Sequence, residues 1–528
     1  MHFSLCLRQG HVSILHAREN VHINNEGHFL VISLECTSKS TWSLQLVYSV
    51  FIVGFFAPQH FNSLTFNISI TIYLYNIKKQ QISNTKAHLY RQILVSLRFN
   101  PAHQNVRAQI REQFDFAAIL YNKGLYKQSL KILDKAKDLA LNSGENNLAY
   151  EIVEFEKIIE SQYITRSLSN RADELAEQAK ELSLKNIRIS KLSNLSLQLY
   201  SLLLKAGYVK DDKDSKLLTE YFEKRLPKYQ LSELGFMEKL FLYKAYLWHS
   251  LIKQDFLSSF KYARKWVDLF EENPEMKKQN PVFYLKGVNY LAESLYLIKY
   301  RKKFNKVLEN LDLDIKKDNI VLNENTKTLA FLYYNQNKLN LYFLEGKFTK
   351  GLVFVEKLLD EIKLYEEHID AHHIMVFYYK IACMYFGAGK NEECIFYLEK
   401  IINNKELKMR EDLLCFSRVL NLVAHYDAGL DFNIDKLIVS TYKFLLKMND
   451  LHDVQRKMIS FLKNLSNIYP QELRKEFIKL HSELKKYENH PFERRAFLYL
   501  DILSWLESKI NNVTVEYIIQ QKAKKLLK

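Results

Sequence analysis

Glycine and proline are scarce in this chain, 13 and 7 among 528 residues. Tight turns draw on those two residues, so a β-sandwich or barrel with many short connections is excluded, and long helices joined by short links remain. Cysteine is also sparse. Cys6, Cys36, Cys383, Cys394 and Cys415 are odd in number and lack CxxC spacing, which argues against a disulfide framework or structural zinc and fits a reducing compartment. No GxxxxGK[ST], GxGxxG, GxSxG or HExxH occurs, so the common phosphate-cradling, nucleophile-elbow and zinc-protease arrangements are missing. The chain therefore reads as all-α and as no enzyme, with no cofactor or metal implied.

One stretch lacks charge altogether. Between Lys39 and Lys78 there is no Lys, Arg, Asp or Glu, and six of the 16 histidines fall within the first 60 residues. Trp42–Ala57 is a 16-residue apolar run; as a helix it covers about 24 Å, short of the roughly 30 Å hydrocarbon core. The mixed segment before it lacks the short basic start of a signal peptide. Phe61–Ile77 is rich in Ile and Thr and alternates in places, which is strand chemistry. Three readings of residues 1–77 stay open: an extension from a misassigned start, a membrane-proximal anchor, or a small β unit. No methionine separates Met1 from Met237, so an internal start needs a non-standard codon.

Aromatic residues are plentiful, with 33 Tyr and 33 Phe, and suit the cores between packed helices. The net charge of +16 points to an acidic partner, a nucleic acid or a membrane surface only if the lysines line one groove.

From Thr85 a helical period sets in, broken at Asn100-Pro101. Beyond it, Gly124-Leu-Tyr126 is a turn between two apolar stripes: Phe116, Ala117 and Leu120 before it, Ser129, Leu133 and Ala136 after it. The pattern recurs. Taking Tyr126 as marker, similar joints fall near Ser169, Lys213, Phe256, Phe304, Phe348, Asn391 and Phe432, at steps of 43, 44, 43, 48, 44, 43 and 41 residues. Gly346, Phe348 and Gly351 repeat the glycine, aromatic and small residue of the first joint; Ala382, Gly389 and Cys394 make another, Phe256, Ser259 and Ala263 a third. A small residue is needed where two helices approach most closely. Lys216 and Asp435 do not fit that place.

On these residues the chain resembles the tetratricopeptide-like (TPR-like) helical repeat proteins, of a bacterial type with repeats of about 43 residues, longer than the 34 of the family itself. The resemblance implies a right-handed superhelical array of antiparallel helix pairs over residues 78–490. An atypical segment (1–77) precedes the array, and capping helices with a basic tail (491–528) close it. It implies a scaffold that holds a peptide or helix of another protein in its concave groove. That groove is lined by the first helix of each pair, with Tyr121, Lys244, Tyr334 and Asn337 as candidate contacts. A cytoplasmic location is expected, or a membrane-linked scaffold if residues 42–57 insert. Nucleic-acid binding is the other alternative, through Lys299, Arg301, Lys302, Lys303, Lys306 and the C-terminal lysines.

Two local clusters hint at chemistry. His368 and His372 stand four apart like zinc ligands, next to His373, Glu366 and Glu367, but no third ligand is placed by spacing. Gly387-Ala-Gly389-Lys390 has a phosphate-loop look without the strand that such a loop follows.

Overall fold

The structure is a computed structural model that describes residues 16–20, 23–24, 27–28, 30–35, 48–52, 79–98, 105–162, 170–317, 319–404, 411–430, 434–447, 453–464, 468–469, 471–493, 497 and 501–525. The chain forms two compact units, 1–103 and 104–528.

In the first unit, β1 (His16–Asn20), β4 (Leu30–Glu35) and β5 (Tyr48–Ile52) form an antiparallel sheet in the order β1-β4-β5, while β2 (Ile23–Asn24) and β3 (Gly27–His28) pair as a hairpin. Leu30 stands opposite Ile52 and Leu34 opposite Tyr48. The middle of the apolar run Trp42–Ala57 is thus a strand, as its β-branched and aromatic residues favour. Helix α1 (Lys79–Arg98) follows. Phe61–Ile77 and Asn100-Pro101 lie outside the described residues.

The second unit is helical, with no strand among the described residues. It opens with α2 (Val106–Asn122), α3 (Tyr126–Asn142), α4 (Asn146–Gln162), α5 (Arg171–Ala206) and α6 (Asp212–Arg225). After a 3-10 turn at Leu231–Glu233 come α7 (Phe236–Ile252), α8 (Phe256–Glu271), the short α9 (Pro274–Gln279), α10 (Pro281–Leu297) and α11 (Arg301–Lys316). Then α12 (Glu324–Glu345), α13 (Phe348–Tyr365), α14 (Ala371–Gly387), α15 (Asn391–Ile402), α16 (Glu411–Asp427) and α17 (Ile434–Lys447) follow. The chain ends with α18 (Asp453–Asn464), α19 (Leu473–Lys485), α20 (Ile502–Asn511) and α21 (Val515–Lys525).

Four joint markers open helices, and a fifth, Phe304, lies in the first turn of α11. Tyr126, Phe256, Phe348 and Asn391 each open a helix, and α6 begins next to Lys213. The joints near Ser169 and Phe432 fall outside the described residues. At the first joint Gly124 takes φ +75°, the left-handed position that lets the Leu125 amide reach back to the Leu120 carbonyl. Just before Phe256 and Phe304 there is no glycine, and there Gln254 (φ 60°) and Lys299 (φ 56°) take the same conformation with a side chain present.

Close approach explains the small residues. Ser129, wholly buried, donates its hydroxyl to the Ala117 carbonyl at 2.8 Å. A Cβ on Gly351 would lie 2.5 Å from Met384 Sδ and 3.3 Å from Tyr342 Cγ. Ala136, Ser259, Ala382 and Cys394 are buried at their joints.

One element departs from the expected pairs. No glycine or proline interrupts Arg171–Ala206, so what the 43-residue spacing assigns to two helices is a single α5 of 36 residues. Its first half buries Leu175, Ala179 and Leu182 in a core with α2, α3 and α4; its second half sends Leu195 and Leu199 into another with Ala245, Trp248 and Ile252 of α7. A third and larger core runs from Leu240 to Leu506.

The layering sets up the site. Each of α8, α11, α13 and α15 packs against both the helix before it and the helix that opens the next pair. The opening helices also touch one another, α10 with α12, α12 with α14 and α14 with α16. Residues on α10, α12 and α14 therefore share one continuous face.

Candidate interaction face

That face carries an unusual element for helix interiors, the run Asn335-Gln-Asn-Lys-Leu-Asn340 in α12. Mid-helix asparagine competes with the backbone for hydrogen bonds and lowers helix propensity, so it persists where its amide is occupied elsewhere. Here it is. Asn337 donates to Asn289 Oδ1 of α10 at 2.8 Å and to the Tyr333 carbonyl at 2.8 Å. Asn340 donates to Asn337 Oδ1 at 3.3 Å, and Lys380 of α14 donates to Asn340 Oδ1 at 2.5 Å. At the other end Asn289 donates to Glu293 Oε1 at 3.0 Å. Glu293, Asn289, Asn337, Asn340 and Lys380 thus form one hydrogen-bonded ladder across three helices, with a carboxylate at one end and an ammonium at the other. Asn289, Asn337 and Asn340 are 6%, 1% and 3% exposed. Burial pulls the Lys380 amine below its ordinary range, and Glu293 pulls it back up.

Aromatic rings flank the ladder. Tyr290 of α10 packs edge-on against Trp248 of α7 at 5.0 Å, and Trp248 packs against Tyr200 of α5 at 4.8 Å. Burial raises the Tyr290 and Tyr333 hydroxyls well above their usual range, so both stay neutral. Further along α7, the Lys244 ammonium lies 5.1 Å from the Phe241 ring, 5.2 Å from Phe283 and 5.7 Å from Trp266. Burial, with Lys286 nearby, lowers its amine to about 8.

The C-terminal helices come back onto the same row of helices. Asp501 caps α20 through the Ser504 amide at 3.0 Å, and its charge reaches Tyr296 of α10. Trp505 is wholly buried and donates its indole N–H to Asp427 of α16 at 3.0 Å, and Lys509 pairs with the same carboxylate at 2.8 Å. Helix α21 then reaches the end of α12, where Gln520 donates to the Gly346 carbonyl at 3.0 Å.

The candidate groove residues fall in separate places. Asn337 is the centre of the ladder, inside the helix layer. Lys244 is the half-buried lysine among the rings of α7, α8 and α10. Tyr334 is half-buried near Asp312 and Lys316 of α11. Tyr121 belongs to the core at α2–α4, where it donates to Gln162 at 2.6 Å and packs edge-on against Phe155. Sequence spacing missed Asn289, Glu293, Asn340 and Lys380; the run Asn335–Asn340 inside a helix is the signal that could have found the ladder.

The other clusters resolve as local structure. Asp370 is the N-cap of α14, accepting from the His373 amide at 2.9 Å and meeting His373 Nδ1 at 2.6 Å. His368 precedes that helix, so His368 and His372 do not share a helix face, and no group of three His, Cys, Asp or Glu suited to a metal occurs among the described residues. Gly387 closes α14 against the Phe348 ring. In the basic joint Arg301 pairs with Glu345, and Lys303 lies over Phe260 and Tyr300. Lys522 is tied to Ser504 and Glu507. Among the described residues no helix is long and apolar enough to cross a membrane. Comparison with known protein families, curated proteins and solved structures finds no match to this chain.

Proposed function

We propose that the chain is a non-catalytic binding scaffold: a TPR-like array of helix pairs whose opening helices form the concave side of a superhelix and hold a peptide or helix of another protein. The observation that carries this reading is the use the chain makes of that side itself. Segment 501–525 meets α12 and α16 as a bound helix would, joining a buried tryptophan anchor to a polar contact at the end of α12. The ladder fits the same reading, because it fixes α10, α12 and α14 in register without apolar side chains and so gives the face a preset shape.

Panning a displayed peptide library against the purified chain tests this. Enriched peptides are expected to bind in the micromolar range, and to lose about tenfold or more when Lys244→Ala removes the cation on the α7 portion of the face. Failure to enrich any peptide, or binding indifferent to Lys244 and competed by single-stranded RNA, favours the nucleic-acid alternative instead.

A further inference from the structure

We propose that the α12–α13 joint is a docking site for a helix with glutamate in its first turn and an apolar residue and a glutamine three and four positions later. In this structure α21 is its intramolecular occupant, and a partner helix of that pattern takes its place. The proposal deepens the binding-scaffold reading and rests on it.

The joint is incomplete without a visitor. Helix α12 ends at Gly346, and α13 begins after Lys347, whose side chain gives no capping hydrogen bond. Glu516, in the first turn of α21, supplies it: its carboxylate accepts from the Thr349 amide at 3.2 Å and from the Thr349 hydroxyl at 2.5 Å. An anion over the N-terminal turn of α13 also meets the positive end of that helix. One turn on, Gln520 takes up the Gly346 carbonyl and Ile519 packs at the edge of the large core.

Gly346 serves two needs at once. Its φ of +62° closes α12, and a Cβ there would stand 2.8 Å from the Gln520 amide nitrogen and 3.1 Å from the Ile519 carbonyl carbon. The backbone of the docked helix comes too close for any side chain. This is a fitted contact between a joint and a helix 167 residues later in sequence.

The occupant is lightly held. Helix α20 buries Ile502, Leu503, Ser504, Trp505, Leu506 and Ser508, whereas α21 buries Ala523 alone among its described residues. The link between them turns through Asn512 at φ +52°, with Val513 exposed. Helix α20 is thus the anchor and α21 the part that can leave, held to α12 and α13 by contacts that a partner helix can reproduce and to α20 through Lys522 with Ser504 and Glu507.

The test uses the full chain. Glu516→Ala with Gln520→Ala is expected to release α21, seen as amide exchange about tenfold faster or more across 515–525 with 502–511 unchanged. That variant should bind a fluorescent peptide of the natural 512–525 sequence at least about tenfold more tightly than the unaltered chain, whose own helix competes. Adding Gly346→Asn, a residue that tolerates positive φ, should abolish peptide binding while the melting temperature holds. A peptide carrying Glu516→Arg should not bind, a check that leaves the chain untouched. Equal binding to the unaltered and released chains, binding that survives Gly346→Asn, or no binding to the released chain overturns the proposal. If peptide panning fails while these results hold, the joint site stands and the wider scaffold reading falls.

Discussion

Asn337 gives its side-chain amide to Asn289 across two neighbouring helices, 2.8 Å apart and 1% exposed at the donor residue. Both side chains have further partners, so the pair is the centre of a ladder rather than an isolated bond. Removing it by Asn337→Ala strands the Asn289 oxygen and the Asn340 amide in a dry setting. The expected cost is about 2–4 kcal/mol, measured by chemical denaturation, against less than about 1 kcal/mol for a solvent-facing residue such as Lys357→Ala.

Two glycines in one neighbourhood should respond differently to alanine. At Gly351 the new methyl meets the far end of the unbranched Met384 side chain and, at 3.3 Å, Tyr342 Cγ; at Gly387 it meets the rigid ring of Phe348 as far in as its Cγ. Gly387→Ala should cost about 1–3 kcal/mol more than Gly351→Ala in thermal unfolding.

Acid should weaken the α6–α7 region through His249. Its imidazole stacks on Phe222 with ring centroids 4.3 Å apart, and burial, helped by Lys253, lowers it from 6.5 to about 4. Because the unfolded chain binds the proton first, the stability from the neutral ring is complete above about pH 6.5 and drains away as pH falls toward 4. The loss amounts to at most about 3 kcal/mol. In His249→Phe that component of the pH profile should disappear, as followed by melting temperature from pH 7 to pH 4.

The buried ion pair between α3 and α4 should be costly to halve. Glu156, wholly buried, meets Lys137 at 2.6 Å and Arg171 at 3.5 Å, and its carboxyl is held above the ordinary range by burial, against the pull of Lys137. Lys137→Ala leaves that carboxylate poorly compensated and should lose about 3–5 kcal/mol, more than Glu156→Gln, which removes the charge itself.

The helix joints were legible because the same local demand recurs. A left-handed residue, an opening aromatic and a small residue at the crossing are all sequence-local, so Gly124-Leu-Tyr126 and Gly346-Lys-Phe348 announce the ends of α2 and α12 directly. The fusion of α5 could have been read from the absence of any breaker between Arg171 and Ala206, but a period carried over from neighbouring repeats hid it. The ladder was not legible: Asn337 was expected as a groove contact, whereas the structure buries it against Asn289, 48 positions before it, and Lys380 joins the ladder through Asn340. The contact of Glu516 with Thr349 has no local signature, since neither residue is unusual for its helix. Long-range fit of that kind is a property of the fold.

Whether the face of α7, α10, α12 and α14 receives a partner can be read from amide exchange of the full chain with and without a saturating peptide selected against it. Protection is expected to concentrate on those four helices and on the α12–α13 joint, with exchange in α21 speeding up as its place is taken. Protection confined to α8, α11, α13 and α15 beyond that joint, or none anywhere, contradicts binding there.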